Sequence, residues 1–385
     1  PYTINQVRKN TLLRQPKVKL STGVWVLVLT TFFVYAAQSI YPMLSLLSFG
    51  ILLLIIKLFW KFNQPAVVLF WFLYQWLQIF AAIIFSDYLN RPMNLWARSN
   101  TVEYTYFLSL MGLVVQVLVA GLVLKNKRIK LENKELKEIA DRINIKRVIY
   151  LYIFFAVLYP ALFNLAINLP QLNQIIILFA HLKYIFLVLL ILLLVIRKEQ
   201  KLLISIILCF EFLSGFLTYF SSFKEVFLFG IIAYLSFVRN IKLSVVIRLM
   251  PIVIVLFLLL IFWSASKEDY RKFVNQGNQV QSIQVSSGDA FEKLINQGKN
   301  FSFKTFEAGI RGSMFRLQYI FYFSQVTKRI PGTIDFQGGK VWGEALRFTL
   351  LPRLLDPNKG THDPSLKTNK YTGLKVAGMA RGTAI

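Results

Sequence analysis

The strongest constraint on this chain is a regular alternation, between Gly23 and Ser264, of long apolar runs with short polar connections. A hydrocarbon layer ~30 Å thick is crossed by ~20 residues of α-helix, and most of these runs are close to that length. Lipid offers no partner to an unpaired N–H or C=O, so such runs fold as helices that satisfy their own backbone. With 56 % hydrophobic residues and a mean hydropathy of +0.55, the chain carries more apolar surface than a water-soluble domain can bury. The fold class expected is an all-α polytopic membrane protein.

Nine transmembrane helices are expected, at roughly Gly23–Ile40, Met43–Trp60, Ala66–Phe85, Tyr104–Leu124, Val148–Ala166, Ile175–Ile196, Leu202–Tyr219, Val226–Val238 and Leu249–Ser264. The uncharged connection between the fifth and sixth carries Pro160 and Pro170. Cys209, the single cysteine, sits in an apolar run and reads as packing; one cysteine and two histidines give neither a disulfide framework nor a zinc site.

The net charge of +26 fits either an anionic partner or the cytoplasmic Lys/Arg excess of membrane proteins, and its placement separates the two. From the amino terminus onward the polar segments sum to +5, 0, +2, 0, +5, 0, +2, 0 and +3. That alternation puts residues 1–22 and the charged loop 125–147 in the cytoplasm, with a helical bundle over 23–265, and everything from 266 to 385 outside. The spacing of Glu132, Glu135 and Glu138 against Lys130, Lys134 and Lys137 makes the 125–147 loop a solvated helix, so nucleic acid is not the expected partner. A further helix is expected after Ile385.

The outside region, Lys267–Ile385, is +9, which positive-inside bias no longer explains and an anionic partner does. A short amphipathic helix is expected around Ala290–Ile295. A longer one, over 303–322, repeats Phe306, Ile310, Met314, Leu317 and Phe321 at helical spacing beside a polar stripe of Glu307, Arg311 and Gln318, and should lie at the membrane interface. Residues 340–381 mix cations, carboxylates, Gly and Pro, and form the candidate active-site segment.

The chemistry available there is cationic: Lys224, Arg311, Arg316, Arg347, Arg353, Lys359 and Arg381. A guanidinium fork donates two parallel hydrogen bonds to phosphate, and several together neutralise a diphosphate as a metal does elsewhere. No carboxylate cluster suited to a divalent ion occurs on the first outside loop, so neither a metal nor another cofactor is expected. The candidate general bases are Glu344, Asp356, His362 and Asp363, with Glu307 behind them.

The apolar spans with a polar turn at Ser221–Glu225, followed by Leu351-Pro352-Arg353, Asp356-Pro357-Asn358-Lys359 and Gly378-Met379-Ala380-Arg381-Gly382-Thr383, resemble the Wzy-type polymerases of bacterial oligosaccharide repeat units. The resemblance covers roughly residues 220–385, with Arg353 and Lys359 on the Pro-Arg and Lys elements and Lys224 where relatives often carry Arg. It implies a GT-C-like fold related to the O-antigen ligases. It also implies an inner-membrane glycosyltransferase that moves a glycan from undecaprenyl diphosphate to another lipid-linked repeat without metal, with a chain-length regulator as a further protein partner. Besides the lipid-linked oligosaccharide, membrane lipids are the expected surroundings. Two alternatives stay open: a ligase-like transferase, and a flippase or transporter of an anionic lipid-linked oligosaccharide. The latter would place charge along its spans, and the spans before Lys224 read as nearly charge-free.

Overall fold

A computed structural model describes residues 19–61, 64–125, 133–169, 172–197, 201–216, 223–237, 240–277, 284–351 and 364–375. In chain order the helices of the bundle are α1 (Thr22–Gln38), α2 (Pro42–Phe59), α3 (Val67–Leu89), the short α4 (Met93–Ala97), α5 (Val102–Lys125), α6 (Asn133–Arg142), α7 (Ile145–Asn168), α8 (Asn173–Ala180), α9 (Leu182–Arg197), α10 (Lys201–Phe216), α11 (Phe223–Phe237) and α12 (Leu243–Val274). Five further helices follow: α13 (Ser287–Lys299), α14 (Phe303–Leu317), α15 (Ile320–Arg329), α16 (Lys340–Leu350) and α17 (Pro364–Thr372). A two-residue parallel pairing of Lys19–Leu20 (β1) with Asn240–Ile241 (β2) ties the start of α1 to the start of α12.

Among the described residues six helical stretches are long and apolar enough to cross a membrane: α2, α3, α5, Ile145–Phe163 in α7, Ile175–Arg197 across α8 and α9, and α12. Three apolar helices are shorter: Thr22–Gln38, which precedes α2, and Leu202–Gly215 and Val226–Phe237, which lie between α9 and α12. The protein is an all-α membrane protein. Large apolar side chains such as Leu122, Tyr150, Val157, Leu178 and Leu202 stand exposed on these helices, as lipid-facing residues do.

The helices bury their inward faces in two main cores. In one, α2, α3 and α5 enclose Ile55, Leu69, Ile83, Tyr106 and Leu110. In the other, α7, α9, α10 and α11 enclose Tyr152, Tyr184, Leu187, Leu190 and Ile204. Hydroxyls stitch the first: Ser48 Oγ and Tyr106 Oη lie 2.6 Å apart, and Trp76 Nε1 donates to Ser48 O at 2.7 Å. Where apolar packing gains little over lipid, such bonds supply specificity between helices. The cores meet where Trp60 Nε1 donates to Leu235 O and the Ala66 N–H to Ser236 Oγ.

Three expectations are corrected. Pro160 lies inside α7 rather than in the connection after it; neighbouring helices and local adjustment make proline tolerable within a membrane helix. The helix expected over 303–322 breaks into α14 and α15 at Gln318, which is fully buried instead of lying on a polar stripe. Gln318 Nε2 donates to Phe315 O at 3.2 Å and its Oε1 accepts from the Phe321 N–H at 2.9 Å, so one side chain closes the first helix and opens the second. Cys209 is exposed on α10, not packed.

At 32 residues α12 is about 48 Å long, well beyond a ~30 Å apolar layer, so its final turns extend past the apolar stretch. Those turns, with Trp263, Tyr270 and Val274 buried, receive α13.

Candidate functional site

Helices α13, α14 and α15 form a cap built on one end of the bundle, with α17 against α15 and α16 joined to α17 by the Lys367–Glu344 pair. Ser286 and Ser302 accept hydrogen bonds from the N–H groups of Asp289 and Thr305, capping α13 and α14. Helix α14 lies against α12 and α3, and Phe315 meets Phe85 with ring centroids 6.0 Å apart. The close approach needs glycine: a Cβ on Gly309 would stand 2.6 Å from Ile261 O and 2.9 Å from its Cγ2.

Helix α15 is held by a cluster of hydroxyls at the start of α5. Thr327 Oγ1 lies 2.9 Å from Thr101 Oγ1 and 2.7 Å from Thr105 Oγ1. Ser99 and Thr101 both donate to Ser324 O at 3.2 Å, and Gln325 Nε2 donates to Ala97 O at 2.7 Å. Small polar residues serve here because their short side chains reach backbone carbonyls without holding the helices apart. At the same end of the bundle Asp87 accepts from Tyr35 Oη at 2.6 Å and from the Ile40 N–H at 2.8 Å, tying α3 to the end of α1.

Of the cations expected at the site, Arg311 and Arg316 both ride on α14. Arg311 pairs with Glu307 one turn away at 3.4 Å, both side chains exposed. Arg316 is exposed at its surface, but its guanidinium is crowded enough that desolvation lowers its pKa from the ordinary arginine value, which Tyr322 partly offsets; it stays charged at physiological pH. Glu344 and Arg347 sit on α16, which has no buried residue. Glu344 pairs with Lys367 of α17, Nζ to Oε2 at 3.4 Å, because α17 brings that ammonium to the exposed face of α16. Lys224 belongs to the first turn of α11, its side chain outside the described set. Arg353, Asp356, Lys359, His362, Asp363 and Arg381 also lie outside the described residues. Arg311 and Arg316 are thus carried by α14, and Glu344 and Arg347 by α16.

Among the described residues the buried Lys and Glu side chains are two that the loop sums conceal. Lys183 of α9 and Glu211 of α10 meet at 2.8 Å, Nζ to Oε1, with side chains only 8 % and 6 % exposed. The ammonium also lies over the rings of Tyr159, 4.1 Å from the centroid, and Tyr184, at 4.7 Å. The Tyr152 hydroxyl is buried beside Glu211. The expectation of nearly charge-free spans before Lys224 is therefore wrong. The signal was present: a lone Lys in HLKYIFLVLL and a lone Glu in LCFEFLSG are each anomalous in an apolar run. Summing charge by loop misses them because each stands in a span and together they cancel.

Chemically, the cap can neutralise an anion over the end of an apolar bundle, while the interior pair holds one positive and one negative charge away from water. Among the described residues no group of three or more His, Cys, Asp or Glu is arranged to hold a metal ion. A family model described as "Domain of unknown function (DUF8712)" matches residues 97–372, from the turn before α5 through α17, which includes both the cap and the buried pair. No curated protein and no solved structure matches the chain.

Proposed function

The chain belongs to the family described as Domain of unknown function (DUF8712), and for this member we propose a membrane-embedded glycosyltransferase that lengthens a lipid-diphosphate-linked glycan. The observation that carries the reading is the cap itself, cation-bearing short helices folded onto the end of an apolar bundle, with Arg311 and Arg316 on a helix bedded against α12 and α3. An amphiphilic anion with an apolar tail fits such a junction of lipid-facing helices and fixed cations.

In this reading the three shorter apolar helices complete nine crossings, in a GT-C-like arrangement. The positive-inside alternation sets the basic loops in the cytoplasm and the cap on the outer face of a bacterial inner membrane. The donor is an undecaprenyl-diphosphate-linked oligosaccharide and the acceptor a hydroxyl of a second lipid-linked repeat. The acceptor oxygen bonds to the anomeric carbon as the bond from that carbon to the diphosphate oxygen breaks. Arg311, Arg316, Arg347, Arg353, Lys359, Arg381 and Lys224 are the candidate groups to take up the charge gathering on the departing diphosphate. Glu344, His362 or Asp363 accepts the hydroxyl proton. No metal or cofactor is assigned a role, and a chain-length regulator is the protein partner this activity would call for.

The buried Lys183–Glu211 pair favours a second reading, a flippase for the same anionic lipid, since charges inside spans mark transport paths. The test uses purified protein in detergent with a lipid-diphosphate-linked oligosaccharide and excess chelator, product length being read on a gel. A ladder of longer lipid-linked glycans supports the transferase. No ladder, with protein-dependent movement of the same lipid across a vesicle bilayer, supports the flippase.

A further inference from the structure

Where the apolar stretch of α12 ends, its next turn forms one wall of an open cleft of ≈ 230 Å³, completed by α13 and the start of α14. Six of its lining residues are polar without being cationic: Ser266, Asp269, Asn296, Gln297, Asn300 and Thr305. Gln297 donates its Nε2 to Ser266 O at 3.1 Å, while its Oε1 is buried with no hydrogen-bond partner among the described residues. In the chain two aromatic residues lie between the lining residues Asn300 and Thr305: Phe301, which packs edge-on to Phe262 with centroids 5.3 Å apart, and Phe303, which is 81 % exposed.

The lining selects among ligand classes. A phosphate calls for convergent cations, and the only cation among the described lining residues is Lys293, whose Nζ stands 5.5 Å from the centre of the Phe273 ring. An acyl or prenyl tail calls for apolar walls. Side-chain amides, hydroxyls and one carboxylate instead offer the closely spaced donors and acceptors that adjacent ring hydroxyls require, and an exposed aromatic face suits the C–H side of a sugar. The volume equals that of about eight waters in the liquid, the scale of one monosaccharide ring rather than of a drug-sized ligand.

We propose that this cleft is a carbohydrate subsite, holding one sugar ring of a membrane-borne glycan at the level where α12 leaves the apolar layer. The assignment to a substrate glycan rests on the transferase reading above; the binding itself does not. A sugar attached to a lipid diphosphate begins at that level, and the cleft is on the same cap as Arg311 and Arg316.

The experiment is saturation-transfer-difference NMR on the full chain in detergent, with N-acetylglucosamine, galactose, mannose and glucuronic acid as probes at millimolar concentration and inorganic phosphate as competitor. The expected result is transfer to the ring protons of at least one sugar, indifferent to phosphate. Thr305→Trp, which fills the cleft from its rim, and Asn296→Ala should each weaken it by about fivefold or more, the change that one lost hydrogen bond produces. Asp269→Asn serves as the second variant if either melts early. No transfer from any sugar, transfer unchanged in the variants, or transfer abolished by phosphate overturns the proposal. Sugar binding without any glycan lengthening keeps the subsite and removes the transferase.

Discussion

Lys183 and Glu211 form an ion pair 2.8 Å long between two otherwise apolar helices, α9 and α10, shielded by the rings of Tyr159 and Tyr184. Neither charge could stay in that setting alone. The pair fixes how α9 and α10 face one another more sharply than their aliphatic side chains do, because Leu and Ile pack against many neighbours and an ammonium against few.

Glu211→Leu, which strands the ammonium, is expected to cost about 3–5 kcal/mol, whereas Lys183→Met with Glu211→Leu should return to near wild-type stability. Thermal melting in detergent reads both. A double variant as unstable as the single one contradicts this account. If the double variant folds yet loses lipid translocation, the charges serve transport rather than packing.

The hydroxyl cluster that anchors α15 to α5 centres on Thr327, with Thr101 Oγ1 at 2.9 Å and Thr105 Oγ1 at 2.7 Å. Thr327→Val keeps the shape and removes the hydroxyl, for an expected loss of about 1–2 kcal/mol. Hydrogen exchange should show the amides of α15 opening sooner while those of α7 and α9 keep their protection. Equal loosening throughout the bundle would mean that the cluster is not a local anchor.

Two glycines should respond oppositely to alanine. At Gly309 the new methyl collides with Ile261, so α14 must shift off α12 at a cost of about 1–3 kcal/mol. At Gly343, on exposed α16, nothing lies within 4 Å, and alanine should add up to about 1 kcal/mol of helix stability. Melting curves decide the first; for the second, slower exchange of α16 amides is the readout.

Tyr41, just ahead of α2, accepts from the Met93 N–H at 2.7 Å and donates to Glu103 Oε1 at 3.0 Å. Burial, together with the charge of Glu103, pushes its phenol up to about 12 from 10.0, while the Met93 hydrogen bond pulls the other way. Because the folded value lies above the unfolded one, the stabilisation is whole below pH 10 and is lost as pH rises toward 12. Tyr41→Phe should therefore be less stable than wild type at neutral pH, yet lose less between those two limits. Parallel curves for the two proteins would refute the assignment.

Arg353→Ala is expected to insert and fold as wild type and to abolish glycan lengthening, since the residue lies in the segment after exposed α16 and carries the family resemblance. Glu307→Gln, by contrast, breaks an exposed one-turn pair worth at most about 0.5 kcal/mol and releases Arg311 toward anions. Membrane yield, melting temperature and product length on a gel read both. Normal polymer length in the Arg353 variant removes the central member of the proposed cation set.

The sequence alone determined the helical, membrane-embedded class and the place of nearly every apolar helix, because the apolar period and the lipid's lack of hydrogen-bond partners are local properties of each run. The α2 helix, expected at Met43–Trp60, is Pro42–Phe59, and α5, expected at Tyr104–Leu124, is Val102–Lys125. Only the tertiary structure decided what depends on partners distant in the chain. Gln318 reads as surface by its spacing, yet it is buried at a helix break, where its amide bonds the backbone of Phe315 and Phe321. Glu344 reads as a candidate base, and only the fold shows that α17 sets Lys367 beside it. Lys183 and Glu211 stand 28 positions apart, and their pairing follows from the way α9 and α10 face each other across the second core. A charge's meaning in a membrane lies in what it touches, and contact across helices is settled by packing, to which no single run of sequence has access.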